Sequence, residues 1–180
     1  MELQTKEEVH LQCLFDTLKQ AEQLQESVNR ALLDTENQPE HYGEQFIVDE
    51  TDHFIRREPR LFITSTNLTM NQAWQLVSDL GGLLIPAHID RRIFGLIAML
   101  GLIPTDIPLE ELEISRLLNL EVAFLRFPQI AGYPLIQSGD THILSDFLGV
   151  NDFQFTRPII NELRWALKKQ ENRSYKLLAY

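Results

Sequence analysis

The sequence predicts an α/β fold with mostly parallel strands, on three observations. From Leu83 onward, short apolar runs alternate with helical patterns. Two of those runs end in polar turns that carry a histidine. The 180 residues are 44% hydrophobic and 23% charged, the composition of an ordinary globular domain with a real core. No repeat, low-complexity tract or linker divides the chain, so residues 1–180 read as one domain.

Met1–Leu3 reads as the end of a strand. Glu7–Leu33 reads as a helix, because Val9, Leu11, Leu14, Phe15, Leu18, Ala21 and Leu24 recur at spacings of two to four with charges between them. Asp34–Gly43 is polar, contains Pro39 and reads as a loop. Gln45–Val48 and His53–Arg56 flank the acidic turn Asp49–Asp52, which predicts a hairpin, and residues 40–62 read as an insertion built around it. Thr66–Thr69 caps a helix from Met70 to Leu80, which Gly81 and Gly82 end. Leu83–Ile85 is a short strand, followed by Pro86-Ala87-His88 and a helix from Arg92 to Leu100. Glu113-Ile114 and Leu135-Ile136 end two further strands. A strand near Phe153–Phe155 precedes a helix from Pro158 to Lys169, with proline suited to the first turn. Leu177–Ala179 reads as a last strand.

One cysteine, Cys13, excludes a disulfide within the chain and fits a reducing, cytoplasmic setting. It lies in the apolar stretch Leu11–Phe15 and reads as a buried thiol. The longest apolar stretch, Ile93–Ile103, is about half the roughly 20 residues that a membrane span needs. The N-terminus (MELQTKEEVH) has no apolar signal core. A formal net charge of −10 argues against an extensive nucleic-acid surface. It leaves room for a phosphate held locally, because a bound ion reverses the field around it.

Of the histidines His10, His41, His53, His88 and His142, two share a context. His88 follows Leu83–Ile85, and His142 follows Leu135-Ile136 with Asp140 two residues before it. Loops at the carboxyl ends of parallel strands build active sites. Asp-x-His there aims two side chains of the same parity into one pocket. Imidazole and carboxylate together suit zinc, manganese or iron. By spacing alone, an aspartate that caps the next helix explains the same residues. His10, on a helical pattern, reads by itself as a packed or surface histidine.

Pro86-Ala87-His88-Ile89-Asp90-Arg91, Leu112-Glu113-Ile114-Ser115 and Gly139-Asp140-Thr141-His142 resemble, in order, successive motifs of the PHP (polymerase and histidinol phosphatase) superfamily. Glu2 with Thr5–His10 resembles the motif before them, and Arg157-Pro158, Ala166–Lys168 and Arg173 resemble the family's final helix. The resemblance spans nearly the whole chain. It implies an incomplete, distorted (β/α)7 barrel with a small hairpin insertion and divalent metal ions (manganese, zinc or iron) at its strand ends. These would bind a phosphate ester and activate water. It carries the role of metal ligand to Glu2, His10, His88, Asp140 and His142. Glu2 would bridge two ions, sharing one with His10 and His88, while Asp140 would sit on the other and His142 on a third.

The family's opening His-x-His and Asp-His motifs have no counterpart here, and Gly139 stands where the family often has serine. The metal site is therefore expected to be incomplete and activity of this chain alone weak or absent. Truncation, a separate complementing segment, or descent to a non-catalytic, self-associating module would each account for this. Truncation agrees best with the intact ligands. Open strand edges would then invite a complementing segment or a second copy.

Other residues have plainer readings beside functional ones. Arg91 suits a substrate phosphate through its planar fork of donors, or an Asp90–Arg pair that caps the next helix. Glu113 reads as an ordinary exposed strand-end carboxylate rather than a lining of the barrel mouth. Trp74 and Trp165 read as core anchors. His41 and His53 read as solvated. Asp49–Asp52 lacks the residue spacing of a calcium loop.

Overall fold

The computed structural model describes residues 1–178, so Ala179 of the expected last strand lies outside the described residues. The described fold is mixed α/β. β1 (Glu2–Gln4), β2 (His10–Leu14) and β5 (Leu83–Pro86) form one antiparallel sheet in the order β1-β2-β5. β3 (Phe46–Val48) and β4 (Phe54–Arg57) are the antiparallel hairpin that the sequence predicted. β6 (Leu112–Ser115) and β7 (Leu135–Ser138) pair in parallel, and β8 (Asn151–Gln154) pairs antiparallel with β9 (Ser174–Leu177). The expectation of mostly parallel strands is thus overturned: among the described residues only β6 and β7 pair that way. For β1 and β2 the reason is the length of the connection. Five residues join β1 to β2, too few for a crossover helix, so the chain must turn back on itself.

The expected helix Glu7–Leu33 is two elements. Val9, Leu11 and Cys13 are buried while His10, Gln12 and Leu14 are only partly so, the alternation of a strand with one face to the core. α1 (Leu18–Ala31) begins where Thr17 and Gln20 form a reciprocal capping box. α3 (Met70–Asp79) starts where expected, on a second capping box between Thr69 and Gln72. The other helices are α2 (Pro39–Tyr42), α4 (Leu96–Leu100), α5 (Leu120–Arg126) and α6 (Ile160–Leu167). α4 is shorter than the Arg92–Leu100 expected, and α5 has no counterpart among the expected elements.

Two apolar clusters hold these elements. In the larger, Leu3, Leu11 and Cys13 pack against Leu24 of α1 and Ala73 and Val77 of α3. In the smaller, Leu83 and Ile85 of β5 meet Ile160 and Leu163 of α6, with Leu14 and Ile136 beside them. Every residue of β5 is buried, because helices cover both of its faces. Trp74 packs on the larger cluster as predicted, but Trp165 is 36% exposed and lies beneath the Arg173 guanidinium, which corrects its reading as a core anchor.

Candidate metal centre

The face of β2 that carries Gln12 and Leu14 also carries His10, by the alternation of a strand. Antiparallel register sets Glu2 opposite Gln12 and Gln4 opposite His10. Glu2 therefore lies two residue pairs along from His10 on the neighbouring strand, on the same face of the sheet. Its carboxylate approaches His10 Nδ1 to 3.3 Å. His88 follows the end of β5, and the Ala87 N–H donates to the His10 carbonyl at 2.9 Å, which brings the third side chain alongside. The ligand atoms of Glu2, His10 and His88 lie within 4.8 Å of one another. The His10 ring stacks on Phe94 at 4.4 Å between centroids and meets the His88 ring edge-on at 5.2 Å.

Three of the left-handed non-glycine residues among the described residues lie here. His88 and Asp140 adopt left-handed conformations (φ 31° and 50°), and Phe94 does likewise at 62°. Such conformations cost an L-residue on the order of 1–2 kcal/mol. The loop after β5 is held to β6 through both main chain and side chains. The Ile89 N–H donates to the Glu113 carbonyl at 2.9 Å. The His88 N–H donates to Glu113 Oε1 at 3.1 Å, and Ser115 donates from its N–H and its hydroxyl to Asp90 at 2.7 and 2.6 Å. Asp90 is therefore engaged by β6 and does not form the expected pair with an arginine.

Glu113 corrects a second expectation. It is completely buried, accepting from the Gln12 side-chain amide as well as from His88. Nothing in the local sequence betrays this, because burial of a strand-end carboxylate depends on which strands flank it. Gln12 is missed with it, because a helical reading of Glu7–Leu33 conceals its strand parity with His10.

Arg91 crosses from the β5 loop to the β7 loop and donates to Asp140 Oδ2 at 2.6 Å. Partial burial pushes the Asp140 carboxyl up, but the Arg91 hydrogen bond and charge outweigh it and hold the group below the usual carboxylate range. At Glu2 the hydrogen bond with His10 is the largest influence, and it too holds the carboxyl low, against the effect of burial. Both carboxylates are thus ionised at neutral pH. They line one open cavity of about 380 Å³, together with Gln12, Thr141 and Phe147.

His142 turns back on its own loop. Its Nδ1 lies 2.7 Å from the Asp140 carbonyl, its side chain is 78% exposed, and it stands outside the three-residue cluster. His41 and His53 are exposed as expected, His53 bonded to Thr51 Oγ1 at 2.8 Å within the hairpin turn. Cys13 is buried as predicted, and desolvation pushes its thiol up to about 12.

Two imidazoles and one ionised carboxylate, preassembled on three strand ends, fit a divalent ion with mixed nitrogen and oxygen preference. Three protein ligands leave coordination positions for water or substrate. No family model and no curated protein sequence matches the chain. Among solved structures the chain is similar to the lesion-specific endonuclease EndoQ of Pyrococcus furiosus, at TM-score 0.68 and 20% identity over 97% of this chain and 39% of that one. It is similarly like endonuclease Q bound to a 27-mer duplex with an abasic lesion at the active site, at TM-score 0.67 and 20% identity over 96% of this chain and 39% of that one. The chain thus spans 39% of the length of those structures, and at 20% identity what it shares with them is the fold.

Proposed function

We propose that the chain is part of a PHP-type metal-dependent phosphoesterase, with a phosphodiester of damaged duplex DNA as the substrate class. The observation that carries this reading is the convergence of Glu2, His10 and His88, within 4.8 Å, in a fold like that of a lesion-specific endonuclease. β5, β6 and β7, side by side with their loops at one end, support an incomplete (β/α)7 barrel. Glu2, His10 and His88 would hold a divalent ion, which would supply Lewis acidity toward a phosphate oxygen and a nucleophilic water near neutral pH. Arg91, bonded to the cavity-lining Asp140, would offer its remaining guanidinium donors to an anionic substrate. Asp140 and His142 belong, in this reading, to the further ion positions, which the chain holds only in part.

A second reading is a self-associating, non-catalytic module. It is favoured by the exposed apolar side chains Ile143, Leu144 and Phe147 beside Asp140, with Leu117 and Leu125 elsewhere. The test is dialysis of the chain against manganese or zinc, followed by bound-metal analysis and assay on abasic-site duplex. The first reading expects bound metal that His88→Ala abolishes, with slow cleavage. Absence of bound metal together with a tight dimer would favour the second.

A further inference from the structure

We infer that Glu113 is a positioning residue for the metal centre, holding His88 in the conformation that lets it share an ion with Glu2 and His10. The inference rests on the metal-centre reading above.

His88 is the most enclosed of the three candidate ligands and one of the most strained residues in the chain. In its left-handed conformation the His88 N–H no longer points along a strand ladder. A buried N–H without a partner is costly, so this turn needs an acceptor at that one place. Glu113 provides it, with Oε1 at 3.1 Å, while its own main-chain carbonyl takes the next N–H, that of Ile89. The other carboxylate oxygen accepts from Gln12, two residues along β2 from His10 on the same face. One side chain therefore links the backbone of one ligand to the strand of another. Glu113 Oε1 also lies 3.8 Å from His88 Nδ1, too far for a hydrogen bond and near enough for its charge to act on the ring.

The electrostatics point the same way. Glu113 is fully buried, and its one ion-pair contact among the described residues is the distant one with His88. Buried carboxylates ordinarily have a cationic partner. A divalent ion on the adjacent cluster would be that partner. Carboxylates that orient metal-binding histidines from behind typically change metal affinity about 10- to 100-fold when replaced.

Glu113→Gln separates charge and orientation from gross structure. The glutamine oxygen can still accept from the His88 N–H, and the Gln12 amide can flip to accept from the new NH2 group. The hydrogen-bond count survives while the charge is lost. We expect manganese affinity, measured by calorimetry on the full chain, to fall about tenfold or more. We also expect an altered visible spectrum of the cobalt-loaded protein and a metal-free melting temperature close to that of the parent. His88→Ala runs in parallel. If His88→Ala removes binding and Glu113→Gln leaves both affinity and cobalt spectrum unchanged, the positioning role is overturned while the metal centre stands. If His88→Ala has no effect, the metal-centre reading fails and this inference falls with it. A metal-free melting temperature that drops with the affinity would make the role merely structural and overturn the inference. Should Glu113→Gln not fold, Gln12→Ala decides: it frees one carboxylate oxygen, and unchanged manganese affinity would refute the linkage.

Discussion

Glu111 precedes β6 and is completely buried, and neither of its carboxylate oxygens has a hydrogen-bond partner. Burial, with a smaller contribution from the neighbouring Glu110 charge, pushes its carboxyl from the ordinary 4.5 up to about 8. The folded chain thus holds this group neutral across a pH range in which the unfolded chain ionises it. The sign follows: the unfolded state binds fewer protons there, so stability declines as pH rises from 4.5 to about 8 and levels off above. The slope is about 1.4 kcal/mol per pH unit, or roughly 5 kcal/mol over the whole window. That is a large share of the ~5–15 kcal/mol stability of a typical domain. We predict that Glu111→Gln removes this slope, because an amide does not titrate. In urea titrations at pH 5 and pH 8, the variant should gain about 4 kcal/mol relative to the parent between the two. Contributions from all other titrating groups cancel in that comparison. Parallel stability profiles for parent and variant would refute the claim that Glu111 is buried without a partner.

Three further predictions follow from single sites. Thr69→Ala breaks the capping box of α3 and should cost about 1 kcal/mol by urea denaturation, since Thr69 accepts from the Gln72 N–H at 3.2 Å. A Cβ at Gly95 would collide with the backbone oxygens of Arg91 and His88. Gly95→Ala should therefore cost roughly 1–3 kcal/mol and weaken manganese binding, because the collision falls on the loop that carries a ligand. The Glu162 carboxyl is held down to about 2, chiefly by its hydrogen bonds with Arg173 and then by the Thr156 N–H. Its contribution is present above the ordinary 4.5 and lost as pH falls through about 2, so Glu162→Gln should be less sensitive to acid than the parent in circular-dichroism melts at pH 5 and pH 2.

Local signals that need no tertiary partner were legible in the sequence. The hairpin around Asp49–Asp52, the capped start of α3 and the all-apolar run of β5 follow from turn chemistry, capping and hydropathy. The failure at Glu7–Leu33 has a visible cause. Val-His-Leu-Gln-Cys-Leu alternates with a period of two, and Thr17-Leu-Lys-Gln20 is a capping box, but the apolar residues of strand and helix run together and mimic one longer helix. That error moved His10 from a strand end to a helix and hid its geometric relation to Glu2. The candidate ligands are legible only through the motifs that carry the family resemblance. The roles of Glu113 and Asp90 were out of reach, because both depend on β6 lying against the loop after β5, a pairing between distant segments.

The chain has one thiol, and it lies on the inner face of the middle strand of the sheet that bears Glu2 and His10. A residue so protected reacts with an alkylating reagent only when that sheet opens. Alkylation kinetics at Cys13 therefore time the breathing of the candidate metal centre directly. A probe of local unfolding comes built into the wild-type molecule, and slower labelling in the presence of manganese would register ligand binding without any mutation.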